Sequence, residues 1–539
     1  MVSRHAAYRL RGILHEPEDT RPMKNTDATP RPSFLALPLQ SRLLGGRRTR
    51  IAVLVLGCVL IPVWQGSFAF HPQGLDRRYR LRSSAGIHHE ARFVYFYYYL
   101  GLFPVVTERE DGLEYSREGA RRLFEEQGHT LLTELGHTLR YGELGVTFLY
   151  LPGVLLAGTP EYLSLVPSHA IAWVAALMAL FVAFWWVGQP VLGALLVVLL
   201  GSNPFQLHEV CGNENVFGWQ ITTAVWLLAL HVPVLGLRET PRRFLWVVPV
   251  LSGLVVATVR QVRPEPVAML LPALVCCGSV PRVRWRVRGA LVGVLLVSFV
   301  VGSKGWQTYF GLKREQAHRR VAAVGGHPYP GPRHRYHMAW HSIWCGLGDF
   351  DRKHGYVWND VVAARYARPI LEQKHGLELP PWDGKSLVYE NAFWDHAGKY
   401  YKTPYEVPHY GEVLRAKVLH DVLHDPLWYL GILARRAWRV LCETSPVRLA
   451  LGRRWLELPM HGLVAIAVLA LLLWRRCWPL AKVLCFSVPL SLTALLVYSG
   501  HGMCLYSCYH VLAAALVCAV ALEGVQWGYR WRRARAARS

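Results

Sequence analysis

Apolar runs of about 15–20 residues recur along this 539-residue chain, each long enough to cross a hydrocarbon core about 30 Å thick as a helix. Inside lipid a backbone must satisfy its own polar groups, and a helix does so within one segment. The pattern predicts an all-α polytopic membrane protein of about ten transmembrane helices. The spans fall at about 51–69, 168–187, 191–203, 216–236, 244–260, 264–280, 289–306, 459–474, 479–499 and 506–526.

Charge orients those spans. Lys and Arg number 60 against 36 Asp and Glu, a formal net charge of +24 that in a soluble chain would suggest nucleic acid. Here the excess gathers in short loops and tails: Arg47–Arg50, Arg238–Arg243, Arg282–Arg288, Arg475–Arg476 and Arg530–Arg538. Basic loops of that kind stay in the cytoplasm. With ten spans every cluster lands there, both termini are inside, and a nucleic-acid role is excluded. The apolar stretch Tyr141–Ala157 is interrupted by Gly and Pro; counted as a span it would break this parity, so it reads as an interfacial or re-entrant helix.

The domain plan follows. Residues 1–48, polar and rich in Pro and Arg, read as a disordered basic cytoplasmic tail. Residues 49–306 make a transmembrane module with a long outer loop over 71–165, in which Ser116–Leu139 has the pattern of an amphipathic helix. A short second outer loop runs from Asn203 to Asn215. Residues 307–458 form an extracytoplasmic domain with a helix expected over Gly411–Cys442. Residues 459–527 carry the C-terminal spans, and 528–539 are a second basic cytoplasmic tail.

The eleven cysteines contain no CxxC pair. Cys58, Cys276, Cys277, Cys485 and Cys518 lie in apolar runs, where Cys is a small hydrophobe. Cys211, Cys345, Cys504 and Cys508 fall in outer segments, where oxidation is chemically open to them.

Polar residues at the outer ends of the spans are the candidates for chemistry. The stretch Gly86–Leu100, GIHHEARFVYFYYYL, sets Glu90 beside two histidines and a run of tyrosines that includes Tyr97. Aromatic belts favour that depth, but a carboxylate there is not explained by anchoring. Glu90 is either a partner for Arg92 or an acid/base or metal-binding group. Glu209 and Glu214 lie in the second outer loop. Carboxylates at membrane depth are costly and read as functional by default, although Asn213–Asn215 would also suit a helix cap. Two carboxylates, Glu90 and Glu209, would admit a divalent cation, magnesium or manganese. Arg260 and Arg263 sit at the outer end of a span, before helix-breaking Pro264 and Pro266; they either snorkel or bind phosphate. His337 and His341, four apart, share a helix face and suit a substrate or a metal. Asp349, Asp351 and Asp360 add carboxylates to the same segment, and Trp340 and Trp344 add packing surface.

This layout resembles the GT-C superfamily of integral-membrane glycosyltransferases, which use polyprenyl-phosphate-linked sugars. HEARFVYFYYYL is similar to the loop-one motif of bacterial members, with Glu90 standing where the family has Asp. YGELGVTFLYLPGVLL resembles the interfacial segment, HEVCGNEN the second acidic loop, and VRPEPVAMLLPAL the Arg-Pro entry to a later span. The resemblance, over roughly residues 51–310, implies a sugar transferase of a bacterial inner membrane with its active site on the outer face. Its partners would be membrane lipid, a polyprenyl-phosphate-linked donor and an extracytoplasmic glycan, lipid or protein acceptor. Glu90, Glu209 and Glu214 would be the catalytic acids, and Arg260, Arg263, His337, His341 and Tyr97 the substrate-binding groups. The rival readings are a lipid-linked glycan ligase or polymerase, a flippase or transporter, and a non-catalytic envelope assembly protein.

Overall fold

The computed structural model describes residues 46–69, 93–107, 113–133, 145–161, 167–203, 206–207, 218–237, 240–262, 265–328, 339–385, 393–394, 400–401, 407–442, 447–451, 454–458, 462–474 and 478–487, with scattered positions beyond. The basic N-terminal segment up to residue 45 lies outside them, as do most residues of the last expected span.

The chain is a mostly helical membrane protein. Among the described residues four helices are long and apolar enough to cross a bilayer: α1 (Arg47–Ala69), and, later in the chain, one over Pro167–Trp186, one over Arg242–Val259 and one over Trp285–Ala323. Between α1 and the second of these come short helices α2 (Phe93–Leu100), α3 (Arg117–Glu126), α4 (Val146–Leu149) and α5 (Leu151–Ala157). The Pro167–Trp186 helix is therefore α6. It is followed by α7 (Pro190–Gly201), α8 (Gly218–His231), α9 (Arg242–Val259), α10 (Leu270–Gly278) and α11 (Trp285–Ala323). Helices α7, α8 and α10 are apolar but shorter than a straight crossing needs.

Within this bundle α6 contacts α1, α7 and α8, and α8 contacts α9, whose most extensive partner is α11. The approach of α9 to α11 is set by glycine: a Cβ built on Gly253 would lie 2.6 Å from the Leu295 carbonyl oxygen and 2.8 Å from the Phe299 nitrogen. Small residues at such crossings let backbones come close enough for dispersion to hold helices that gain nothing from excluding water.

Helix α11 differs from the expected 289–306 span. Its 39 residues amount to about 58 Å at 1.5 Å per residue, about twice the hydrocarbon core. The apolar pattern ends where the lipid ends, but no residue after Trp306 breaks the helix, so it continues outward. Its outer half carries Phe310, Ala317 and Val321 as buried core.

That outer half joins the first outer segment to the late one. A core of Phe93, Phe103, Val106, Leu132 and Phe310 is continuous with Trp344, Tyr356, Ala363, Leu371, Tyr410 and Leu414. The latter belong to α12 (Ala339–Leu347), α13 (Asp360–His375) and α14 (Tyr410–His424) and the turns between them. A second cluster sets Tyr95, Phe96, Leu102 and Val105 against Ala120, Phe124, Ala317 and Val321. Described residues of loop one and of the 307–458 segment therefore share one core.

Two expected helices are shorter. Ser116 caps α3 by accepting from the Gly119 amide at 2.8 Å, but the helix ends at Glu126. Gly128 permits a close approach there that any side chain would block, since a Cβ would meet the Val324 carbonyl at 2.2 Å. The chain then enters β2 (Leu131–Leu132), which pairs antiparallel with β1 (Val106–Thr107). The expected helix over Gly411–Cys442 is broken by Pro426, which lacks an amide and opens a new helix instead. α14 stops at His424, Asp425 Oδ1 accepts from the Trp428 amide at 3.3 Å, and α15 runs over Pro426–Cys442. Leu427, Leu430 and Trp438 of α15 are exposed, as are Leu155 and Leu156 of α5. Exposed apolar residues of this kind suit helices lying at a lipid surface. Helices α4 and α5, of four and seven residues, are each too short to cross a bilayer.

The remaining described elements are hairpins of β3 (Phe393–Trp394) with β4 (Tyr400–Tyr401) and β5 (Val447–Leu451) with β6 (Arg454–Leu458), then α16 (Gly462–Trp474) and α17 (Trp478–Cys485). Lys482 on α17 donates to the Ser279 carbonyl beyond α10 at 2.7 Å.

The Gly253 contact gives a direct test. Gly253→Val drives two methyl groups into the α11 backbone, an overpacking cost of roughly 1–3 kcal/mol. The variant is expected to show a lower thermal midpoint by tryptophan fluorescence in detergent, whereas Gly293→Ala, whose Cβ meets nothing within 4 Å, leaves it unchanged.

Candidate functional site at the outer face

Glu90, Glu209, Glu214, Arg263 and His337 lie outside the described residues. The residues that flank them in sequence do not. Val94, Tyr150, Val154 and Val262 form one buried cluster, with Tyr98, Leu149 and Trp219 packed against it. Val94 follows Glu90 by four positions, Val262 directly precedes Arg263, and Trp219 follows Glu214 by five. Val154 belongs to α5, and Tyr150 lies between α4 and α5. The Gly145 amide donates to the Gln261 carbonyl at 2.9 Å, which ties those helices to the end of α9.

A polar layer lies beside that cluster. Trp219 stacks on His169, with ring centroids 4.4 Å apart and planes 11° from parallel. His169 Nε2 is 3.1 Å from Thr222 Oγ1, which also accepts from Gln206 Nε2 at 3.0 Å. Gln206 precedes Glu209 by three residues. Gln65 donates to the Gly201 carbonyl at 2.9 Å and accepts from Trp173 Nε1 at 3.2 Å. Buried polar groups at membrane depth persist because they satisfy one another. Sequence reading passed over this set, because each residue alone looks like an ordinary helix position and the partners come from four separate helices.

Tyr97 and Arg260 sit at the edge of this region. Tyr97 is half-buried among Phe103 and Phe148, with ring centroids at 5.9 and 5.2 Å, and its hydroxyl is 3.3 Å from that of Tyr309. Arg260 ends α9 with its guanidinium carbon 5.9 Å from the Phe299 ring centre. Tyr97 is thus fixed by packing, and the described contact of Arg260 is a cation–π one.

The late segment separates its three aspartates. Asp349 and Arg436 form a pair in which both side chains are 1% exposed, with Arg436 Nε donating at 3.1 Å. Asp351 accepts from Arg435 at 2.7 Å and from Trp428 Nε1 at 3.1 Å. Asp360 faces His341 and Cys345 instead. On α12, His341 and Cys345 are four apart and share a face. Asn359 caps α13 by accepting from the Val361 amide at 2.9 Å and so fixes Asp360 at the first helical position. Asp360 Oδ1 lies 3.1 Å from His341 Nε2 and accepts from the Cys345 thiol at 3.5 Å, while Cys345 Sγ is 3.8 Å from Nε2. The other ring nitrogen, Nδ1, is 2.8 Å from the Tyr410 hydroxyl. Burial, helped by the charge of Asp360, pushes the Cys345 thiol well above its ordinary range. Cys345 is buried and free of disulfide, so oxidation in an outer loop does not describe it. The HxxxC spacing in HSIWC was readable; the partnership with Asp360, fifteen residues on, had no local signal.

Nearby, Asp421 accepts from Lys417 and from the Tyr356 hydroxyl, both at 2.8 Å. Burial pushes its carboxyl up, but bonds from Lys417, Tyr356 and His420 outweigh that and hold it below the ordinary 3.8. A carboxylate depressed on folding contributes stability that is present above the unfolded value and is lost as pH falls through the folded one. The thermal midpoint of the protein is therefore expected to fall on acidification below about pH 4, and Asp421→Asn to flatten that fall in a pH series of melting curves.

No family model, curated protein or solved structure matches this chain, so its function rests on its own side chains.

Proposed function

We propose that the protein is a GT-C-type membrane glycosyltransferase that moves a sugar from a polyprenyl-phosphate donor to an extracytoplasmic glycan, lipid or protein acceptor. The observation that supports this reading is the convergence at the outer face. Sequence neighbours of Glu90, Glu214 and Arg263 pack in one cluster with the interfacial helices, and Gln206, three residues before Glu209, belongs to the polar layer that Trp219 joins. Residues from four separate stretches of chain thus pack together, and in this reading they do so where lipid and water meet, as a lipid-linked donor and an aqueous acceptor require.

In this proposal ten spans place both termini in the cytoplasm and the reaction on the outer face of a bacterial inner membrane. Glu90, as general base, takes the proton of an acceptor hydroxyl whose oxygen attacks the anomeric carbon. The bond from that carbon to the phosphate oxygen breaks with inversion, and polyprenyl phosphate leaves. Glu209 or Glu214 orients the acceptor, and Arg263 holds the donor phosphate as a bidentate partner. Stabilising charge on the leaving phosphate is the largest catalytic demand. The ligase reading calls for cationic arginines in the outer segment. In that segment Arg435 and Arg436 are engaged by Asp351 and Asp349.

The test is turnover in lipid nanodiscs against a panel of polyprenyl-phosphate sugars, followed as release of polyprenyl phosphate. Release by the wild type and its loss in Glu90→Gln, by about 100-fold or more as for removal of a general base, is the expected result. Equal turnover by folded Glu90→Gln would remove Glu90 from its role, and no release from any donor would overturn the transferase reading.

A further inference from the structure

We propose that His341, Cys345 and Asp360 form a binding site for a borderline-soft divalent transition metal, zinc foremost, with a fourth coordination position open to solvent. The site is independent of the transferase reading and distinct from any magnesium or manganese held by loop carboxylates.

The donor set selects the metal. One imidazole nitrogen, one sulfur and one carboxylate oxygen suit zinc and its neighbours, whereas magnesium and calcium take oxygen. The spacing fits as well. Zinc bonds of about 2.3 Å to sulfur and about 2.0–2.2 Å to nitrogen and oxygen, at tetrahedral angles, set donors roughly 3.4–3.6 Å apart. The three separations are 3.1, 3.5 and 3.8 Å. The donor atoms already stand near the corners of one tetrahedral face.

The orientation of the imidazole decides between this reading and a thiol nucleophile. In a Cys-His-Asp relay one ring nitrogen meets the thiol and the other meets the acid. Here both the thiol and the carboxylate face Nε2, and Nδ1 belongs to Tyr410. Such a ring has no free nitrogen through which to relay a proton. It is instead arranged as metal-ligating histidines are, with one nitrogen directed at the ion and the other held by an outer hydrogen-bond partner. Binding replaces the thiol proton by the ion: the S–H bond breaks, a metal–sulfur bond forms, and the proton leaves to water. His341 and Cys345 are buried, at 6% and 0% exposure, while the Asp360 side chain is 45% exposed. The open position therefore lies on the solvent side, beside Asp360.

The full-length, tag-free protein in nanodiscs is stripped with chelator and titrated with Co²⁺, which takes zinc sites and reports thiolate ligation by absorption in the near ultraviolet. The expected result is one equivalent bound with a thiolate-to-cobalt band that Zn²⁺ removes. Cys345→Ser loses the band and Cys442→Ser keeps it. Tyr410→Phe keeps the band but weakens binding about 10-fold or more, as loss of a ligand-orienting partner does. Asp360→Asn, at an exposed position that does not disturb packing, keeps the wild-type circular dichroism and weakens binding at least as much. Absence of the band in folded wild type, an unchanged band in Cys345→Ser, or unchanged affinity in folded Asp360→Asn would each overturn the proposal.

Discussion

The outer half of the molecule depends on one helix that does not stop at the membrane surface. Lipid fixes the length of the apolar part of α11 and nothing more, and the backbone ladder continues as long as no residue interrupts it. From Trp306 onward its buried face changes partner, from Thr258 on α9, which accepts from Trp306 Nε1 at 3.0 Å, to Phe103, Phe148 and the tyrosine helix α2. The first loop segment buries residues such as Phe93, Tyr95, Phe96, Leu102, Phe103 and Val105. It acquires a core because this extension, and α12 to α14 beyond it, supply the other side. Burial of aromatic rings in edge-to-face contact adds to the area term at each of these contacts.

The class of fold was legible because the bilayer imposes a length and a polarity on every crossing segment, so α1, α6, α9 and α11 stand out from hydropathy alone. Local punctuation was legible where it was strong: the start of a helix at Ser116, and Gly and Pro within 141–157. Two of the failures share one cause: the end of α3 at Glu126 and the continuation of α11 are settled by contacts with distant chain, respectively Val324 and the loop-one core. Pro426 was the exception that a stricter reading of backbone chemistry would have found, since an internal proline removes a helix hydrogen bond whatever its surroundings.

The same division runs through the candidate sites. Tyr97 and Arg260 were expected at an outer boundary as substrate-binding groups; their described contacts are with Tyr309 and Phe299, which no spacing rule would pair. His341 drew attention for its spacing to His337, while its partners came from two other helices: Asp360 at the start of α13 and Tyr410 at the start of α14. Both are first-turn positions, where a side chain can be aimed across a gap between helices. Single-residue chemistry could nominate His341; only the crossing of three helices assembles its surroundings.

The length of α11 carries a mechanical consequence. It is gripped by Gly253 near Leu295 and Phe299 and by the outer core from Phe310 to Val321, with no break between the two grips. From Phe299 to Ala323 is about 36 Å of unbroken helix, so a tilt of about 5° at the inner grip displaces the outer end by about 3 Å. The membrane bundle and the outer core are thus coupled as the two arms of a lever, and a shift in bilayer thickness or helix packing would be read out, amplified, at the water-facing surface.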